Sequence, residues 1–272
     1  MIRTFLCLTG VLMAISAFAE LSTDEIVARA LGQDQRMREY RSTLAYSISV
    51  EEKKLDRSNK EYSSKTGTAT ILPGGQISYA IQIDLSDAPP QTTDAQKKVR
   101  DSQKYMAVMD FRKLAPKFIL TMLGHEKVDG RDCYVLSFSP KENQKASTVE
   151  ERVVNELAGK FWIDSKSFSV VKAEGKLTKP VSVAWFLATM KELEFSFSTV
   201  KLPDGDLGPG EFTLLYDIQT LLRYSRRKQI SKMSDYRVLT PEQLQQAEAS
   251  TAGNASHSST NRPTPVSSRG GR

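Results

Sequence analysis

The chain has 272 residues, 39% of them apolar and 26% charged, with 38 Lys and Arg against 32 Asp and Glu and a formal net charge of +6. The basic side chains are interspersed with acids such as Glu51, Glu52, Asp56 and Glu61. This argues for a mixed solvated surface with weak attraction to anionic membranes, and against a nucleic-acid-binding patch. Two cysteines, Cys7 and Cys133, exclude a disulfide framework, so the fold must rest on its apolar core.

The N-terminus reads as a leader. One positive charge at Arg3 precedes an apolar run from Phe5 to Ile15, and Ser16-Ala17-Phe18-Ala19 supplies small residues for signal peptidase. The run is too short to span about 30 Å of hydrocarbon. Cleavage after Ala19 would make Glu20 the first residue of an exported chain. Cys7 lies inside the apolar run rather than after it, which argues against a lipid anchor. Cys133 is then the remaining cysteine, expected as a small buried side chain.

Leu21-Ser22-Thr23-Asp24-Glu25-Ile26 has the form of a capping box with a hydrophobic staple. Ile26, Val27, Ala30, Leu31 and Met37 follow at helical spacing, which predicts an amphipathic helix over Thr23–Met37. Strand alternation then begins, with Leu44, Tyr46, Ile48 and Val50 on one side and Ala45, Ser47 and Ser49 on the other. A long polar stretch leads to a strand over 66–72. Pro73-Gly74-Gly75 turns the chain into a strand carrying Ile77, Tyr79, Ile81 and Ile83. A loop with Pro89-Pro90 gives way to a polar helix from Thr93 toward Met109.

After 118–123, residues 124–177 read as four strands in a meander: 124–128, 133–138, 160–164 and 168–175. Asp129-Gly130 is a hairpin turn signal, because a primed turn needs positive φ and Gly supplies it at little cost. Strands joined this tightly pair antiparallel. A helical insert over 147–157 interrupts the meander, with Val149, Val153, Val154 and Leu157 as its apolar face. Trp185 to Met190 is expected as an apolar flap or a buried segment. Further strands over 195–200 and 212–216, and two late runs near 221–224 and 229–233, complete about eleven strands and three helical segments. Residues 241–272, rich in Ser, Thr, Gly and Pro, offer too little apolar surface to fold, leaving 20–240 as one domain.

Catalytic signatures are missing from this pattern. His125 is the one histidine of the expected domain, and no G-x-S-x-G elbow presents a serine. His125 and Cys133 lack the second clustered pair that a zinc site requires. The glycines sit beside Pro or Asp, as turns do, rather than in a phosphate loop. A non-enzymatic binding protein without cofactor or metal is the expectation.

Gly124-His125-Glu126-Lys127-Val128-Asp129-Gly130-Arg131-Asp132-Cys133-Tyr134-Val135-Leu136, then Phe161-Trp162-Ile163-Asp164, Val170 to Gly175, and Ser234-Asp235-Tyr236-Arg237 carry a family likeness. The chain resembles the bacterial outer-membrane lipoprotein-sorting carriers, the LolA/LolB-like superfamily. The resemblance implies a β-rich α+β fold, an unclosed antiparallel barrel with helices lidding a hydrophobic cavity that takes acyl chains. It also implies a periplasmic monomer that meets an acyl lipid or lipoprotein, with an inner- or outer-membrane protein as partner and no nucleic acid. The carriers often end their second strand on a basic residue and Pro, whereas Leu72-Pro73 stands here. A lipid- or lipoprotein-binding carrier is one expectation, and a sensing or protein-interaction module on the same fold is the other. The expected cavity lining is Leu44, Tyr46, Ile48, Ile77, Tyr79 and Ile81, under a lid formed by Ile26, Ala30 and Leu31.

Overall fold

The computed structural model describes residues 21–78, 93–108, 111–184 and 187–246. The leader, Tyr79, Ile81, Trp185, Phe186 and residues 247–272 lie outside the described residues, with the expectations placed on them. Eleven strands form one antiparallel sheet: β1 (Ala45–Leu55), β2 (Glu61–Ile71), β3 (Ile77–Ser78), β4 (Phe118–Val128), β5 (Arg131–Pro140), β6 (Leu157–Asp164), β7 (Val170–Leu177), β8 (Val181–Ala184), β9 (Ala188–Lys201), β10 (Leu207–Thr220) and β11 (Tyr224–Arg237). Their order is β3-β2-β1-β11-β10-β9-β7-β6-β5-β4, with β8 on β9. Among the described residues β3 and β4 do not pair, so the sheet is an open half-barrel. The helices are α1 (Thr23–Arg41), α2 (Thr93–Val108), α3 (Phe111–Leu114) and α4 (Val149–Val154).

The meander is present as β4 to β7 in consecutive antiparallel pairs. Asp129 at φ 48° and Gly130 at φ 77° both take the left-handed conformation that a type I′ turn demands. The strands run longer than the alternation suggests. Residues 118–123 and 124–128 are one strand, re-aimed at a bulge between Met122 and Gly124. The polar stretch after Val50 forms the charged ends of β1 and β2 and the turn between them. Lys53 there pairs with Glu51 two residues earlier on β1 at 3.3 Å and, across to β2, with Glu61 at 3.1 Å, so an opposite-charge pair replaces apolar alternation as the cross-strand contact. Ala188 to Met190, expected as part of a flap, open β9 in register with Thr220 to Ile218. The helical insert stops at Val154 and Leu157 begins β6. Past β11, residues 241–246 form a helical turn, capped where Thr240 accepts from the Gln243 amide and the Gln243 side chain accepts from the Thr240 amide.

The helices cover one face, the inner one. Residues Ile26 and Ala30 of α1 join Leu136, Phe138, Phe161, Phe195 and Phe212 in the main core. α2 lies across β1 and β2, where Val99 packs with Ile48, Val50, Ala69 and Ile71. Buried Ser102 of α2 and Ser231 of β11 share a 2.6 Å hydrogen bond that fastens this helix to the sheet. Cys133, Val135 and Trp162 point to the opposite face, in a small cluster of their own.

Two glycines allow the main core to close. Gly159 and Gly175 face each other across β6 and β7. A Cβ on Gly175 would stand 2.7 Å from the Phe195 ring and 2.8 Å from the Phe138 ring, so the aromatic side chains occupy the space a larger residue would need.

Candidate functional site: a cavity between the first helix and the sheet

The first helix is fixed at its start and polar toward its end. Ser22 accepts a hydrogen bond from the Glu25 amide at 3.2 Å, as the capping sequence predicts. The Glu25 carboxylate accepts instead from Arg29, at 2.6 Å, in an i,i+4 pair. Ile26, Ala30, Gln33 and Met37 recur at the spacing that faces the sheet, and all four are buried. The helix runs on to Arg41, with Arg38 and Arg41 in the last turn, where cations favour the helix dipole.

Under this C-terminal half lies a cavity of about 350 Å³. Its floor is aromatic: Phe161, Phe195, Phe197 and Phe212 project from β6, β9 and β10. These rings continue a row that begins outside the cavity, with Phe138–Phe161 centroids 4.7 Å apart and Phe195–Phe212 6.4 Å apart. Its roof and rim are mostly polar, from Gln33, Asp34, Arg38 and Arg41 of α1 with Gln103 of α2. The site is therefore amphiphilic, with an apolar bed beneath a charged edge.

The polar edge carries a net positive charge. Asp34 accepts from Arg38 at 3.0 Å and lies 3.9 Å from Arg41 and 3.8 Å from Arg112 on α3, so one carboxylate gathers three guanidinium groups from two helices. Burial pulls the Arg41 guanidinium below its ordinary value, and Asp34 partly offsets that. Gln33 donates to the Ser169 hydroxyl at 3.2 Å and accepts from Arg36, tying the helix to the turn before β7. At one end Tyr46 and Tyr236 stack with centroids 4.9 Å apart, and the Tyr236 hydroxyl donates to the Pro209 carbonyl at 2.8 Å. Burial raises both phenols, Tyr236 the more strongly, so they remain neutral.

Of the four described residues expected in the lining, Tyr46 borders the cavity. Leu44 packs against Met37 and Leu202, while Ile48 sits in the cluster beneath α2 with Ile77 against it. The reason is that α2 fills the part of the inner face that β1 and β2 provide. The lid residues Ile26 and Ala30 are buried in the main core, and Leu31 packs partly against it. The side chains of α1 that border the cavity lie further along, from Gln33 to Arg41. Leu31 does not border it. The aromatic floor did leave a trace in the sequence, the alternation Phe195-Ser196-Phe197.

A second cleft, of about 250 Å³, lies between α2 and the charged half of β1 and is lined by Lys54, Lys65, Lys97 and Lys98 around Glu52. Glu52 pairs with Lys98 at 2.7 Å and with Arg227 at 3.4 Å. Burial pushes the Glu52 carboxyl upward, but the Lys98 hydrogen bond and the charges of Lys98 and Arg227 outweigh it and hold the group below its ordinary value.

His125 stands against Tyr134 with ring centroids 4.9 Å apart, while Cys133 points to the other face, so the two cannot share a ligand. Burial pushes the Cys133 thiol up to about 11, which keeps it protonated and unreactive at neutral pH. Among the described residues no group of three or more His, Cys, Asp or Glu could hold a metal ion, and no helix is long and apolar enough to cross a membrane.

No protein-family model and no curated protein matches the sequence. Among solved structures the chain is similar to a LolA superfamily protein from Nitrosomonas europaea, with 12% identity over 83% of this chain and 97% of that one and a TM-score of 0.35. A DUF1329 family protein from Desulfovibrio piger gives 13% identity over 81% of this chain and 96% of that one, also at 0.35. The MucA/MucB complex of Pseudomonas aeruginosa gives 11% identity over 82% of this chain and 96% of the matched one, at 0.25.

Proposed function

We propose that this protein is an exported, periplasmic binding protein that shelters the acyl part of a lipid or lipoprotein between α1 and the sheet. The observation that carries the reading is the amphiphilic cavity, an aromatic floor of four phenylalanines under a rim of Asp34, Arg38, Arg41 and Gln103. Its volume, about 350 Å³, falls at the small end of the roughly 300–1,000 Å³ range of ligand sites. Each methylene withdrawn from water there contributes about 0.8 kcal/mol, and the polar rim can meet the headgroup or the ester end of the chain. The leader-like N-terminus supports export, and the resemblance to the lipoprotein-sorting carriers supports an acyl ligand.

The test is uptake of a fluorescent fatty acid by the purified protein, together with mass spectrometry of lipid extracted from protein isolated from the envelope. Saturable uptake that falls with Phe197→Asp is expected. Absence of both saturable uptake and co-purified lipid would overturn the reading.

A second reading, a protein-interaction module, is favoured by the sheet edge. Among the described residues β4 ends the strand order, with Ile119 52% and Leu123 54% exposed, which suits addition of a strand from a partner. A defined protein recovered in place of lipid would support it.

A further inference from the structure

Three hairpins end together at one end of the half-barrel. Leu55 on β1 is opposite Arg226 on β11, Gln219 on β10 is opposite Tyr224 on β11, and Ala188 on β9 is opposite Thr220 on β10. The turns at 56–60, at Leu187 and at 221–223 are therefore neighbours. Four large apolar side chains are exposed there: Leu222 at 93%, Leu221 at 69%, Tyr62 at 67% and Leu187 at 51%. The 221–223 turn is well held, since the Thr220 hydroxyl accepts from the Arg223 amide at 2.9 Å and donates to its carbonyl at 3.0 Å. An ordered turn thus presents two adjacent leucines to solvent, where they contribute little to the core.

Around them three exposed cations outnumber the two exposed acids, Asp56 and Glu61. Arg57, Lys60 and Arg223 are exposed at the tips, and the Arg57 guanidinium lies 5.3 Å above the Tyr224 ring. The nearby acids are engaged: Asp56 accepts from the Ser58 and Lys60 amides, Glu61 pairs with Lys53, and Glu192 and Asp217 meet Arg226. Arg226 also donates to Asn59 at 2.7 Å, which joins the 56–60 turn to β11.

We propose that this end of the half-barrel docks on an anionic lipid bilayer. Leu221 and Leu222 enter the boundary between headgroups and acyl chains, and Arg57, Lys60 and Arg223 lie against the anionic headgroups. Apolar side chains standing out from separate tips, ringed by cations, match the combination of apolar burial and charge that holds a protein at a membrane surface. A protein partner would need a broad, closely packed complementary patch, which a few side chains projecting from neighbouring turns do not offer. The cavity borders Tyr46 and Met233, toward the other ends of β1 and β11, so this docking stands independently of the acyl-binding reading.

Co-sedimentation of the protein with phosphatidylcholine vesicles, with and without about 30% phosphatidylglycerol, tests the proposal. Partition onto the anionic vesicles is expected, weakening at about 0.5 M salt. The double change Leu221→Ser with Leu222→Ser should lower partition about tenfold, and Arg57→Glu with Arg223→Glu by a similar factor. All four positions are exposed, so thermal unfolding and acyl-probe uptake should match the parent protein. The proposal is overturned if the parent ignores anionic vesicles, if it binds neutral and anionic vesicles equally, or if either double variant binds as the parent does.

Discussion

Replacing Gly175 by Ala tests whether the aromatic core and the cavity are one packing system. The new Cβ would meet the Phe195 ring at 2.7 Å, the Phe138 ring at 2.8 Å and the Ala158 carbonyl at 3.0 Å. Phe138 is held by neighbouring rings, with centroids 4.9 Å to Phe118 and 4.7 Å to Phe161, and has little room to move. Phe195 borders the cavity, so its ring can swing into that space. Overpacking costs about 1–3 kcal/mol, and the stiffer unfolded chain returns about 0.4–1 kcal/mol. A net loss of about 1 kcal/mol follows, or a urea midpoint lower by about 0.5 M for a slope near 2 kcal/mol/M. Because the displaced ring occupies cavity volume, acyl-probe uptake should fall as well. Gly159→Ala is the control. Its Cβ would lie 2.0 Å from the Glu174 carbonyl, a backbone atom that no rotamer change can move, so the loss should exceed about 3 kcal/mol. Adding Phe195→Leu to Gly175→Ala should restore part of the stability. Equal losses at the two glycines, or full probe uptake in Gly175→Ala, would refute the reasoning.

Gln33→Leu should cost about 1–3 kcal/mol in denaturant unfolding, because buried Ser169 and its neighbour Arg36 lose their partner; Ser169→Ala in the same chain should recover part of it. Cys133 should resist alkylation in the folded protein at neutral pH and begin to react only as pH approaches about 11, whereas the denatured chain reacts near the ordinary thiol value; rapid labelling of the native protein would contradict its burial. Glu52 has a depressed folded-state carboxyl, so its contribution to stability is complete above the ordinary carboxylate range and is lost as pH falls through the folded value. Glu52→Gln should therefore lower Tm at about pH 7 and narrow the difference from the parent toward about pH 3; a constant difference across that range would argue against the Lys98 and Arg227 pairing.

Local chemistry was legible along the chain. Ser22 before an amphipathic run determines where α1 begins, Asp129-Gly130 determines the β4–β5 hairpin, and period-two alternation marks the inward side of strands such as Tyr46, Ile48 and Val50. These features depend on residues within a few positions of each other, and antiparallel meandering follows from tight turns alone. What covers each strand does not. Glu51 to Lys54 read only as a polar, solvated stretch because their partners, Glu61, Lys98 and Arg227, arrive from β2, α2 and β11. Ile48 and Tyr46 are equivalent in the alternation, yet Ile48 is wholly buried beneath α2 while Tyr46, at the edge of the same cluster, also borders the cavity. The polar side chains Gln33, Asp34, Arg38 and Arg41 look like the solvated side of a helix until β10 and α3 come up against it. Side-chain direction is set by backbone period, whereas the identity of the facing surface is set by contacts over a hundred residues apart, such as Gln33 to Ser169. That is why strand faces were readable in the sequence and the position of the cavity was decided only by the fold.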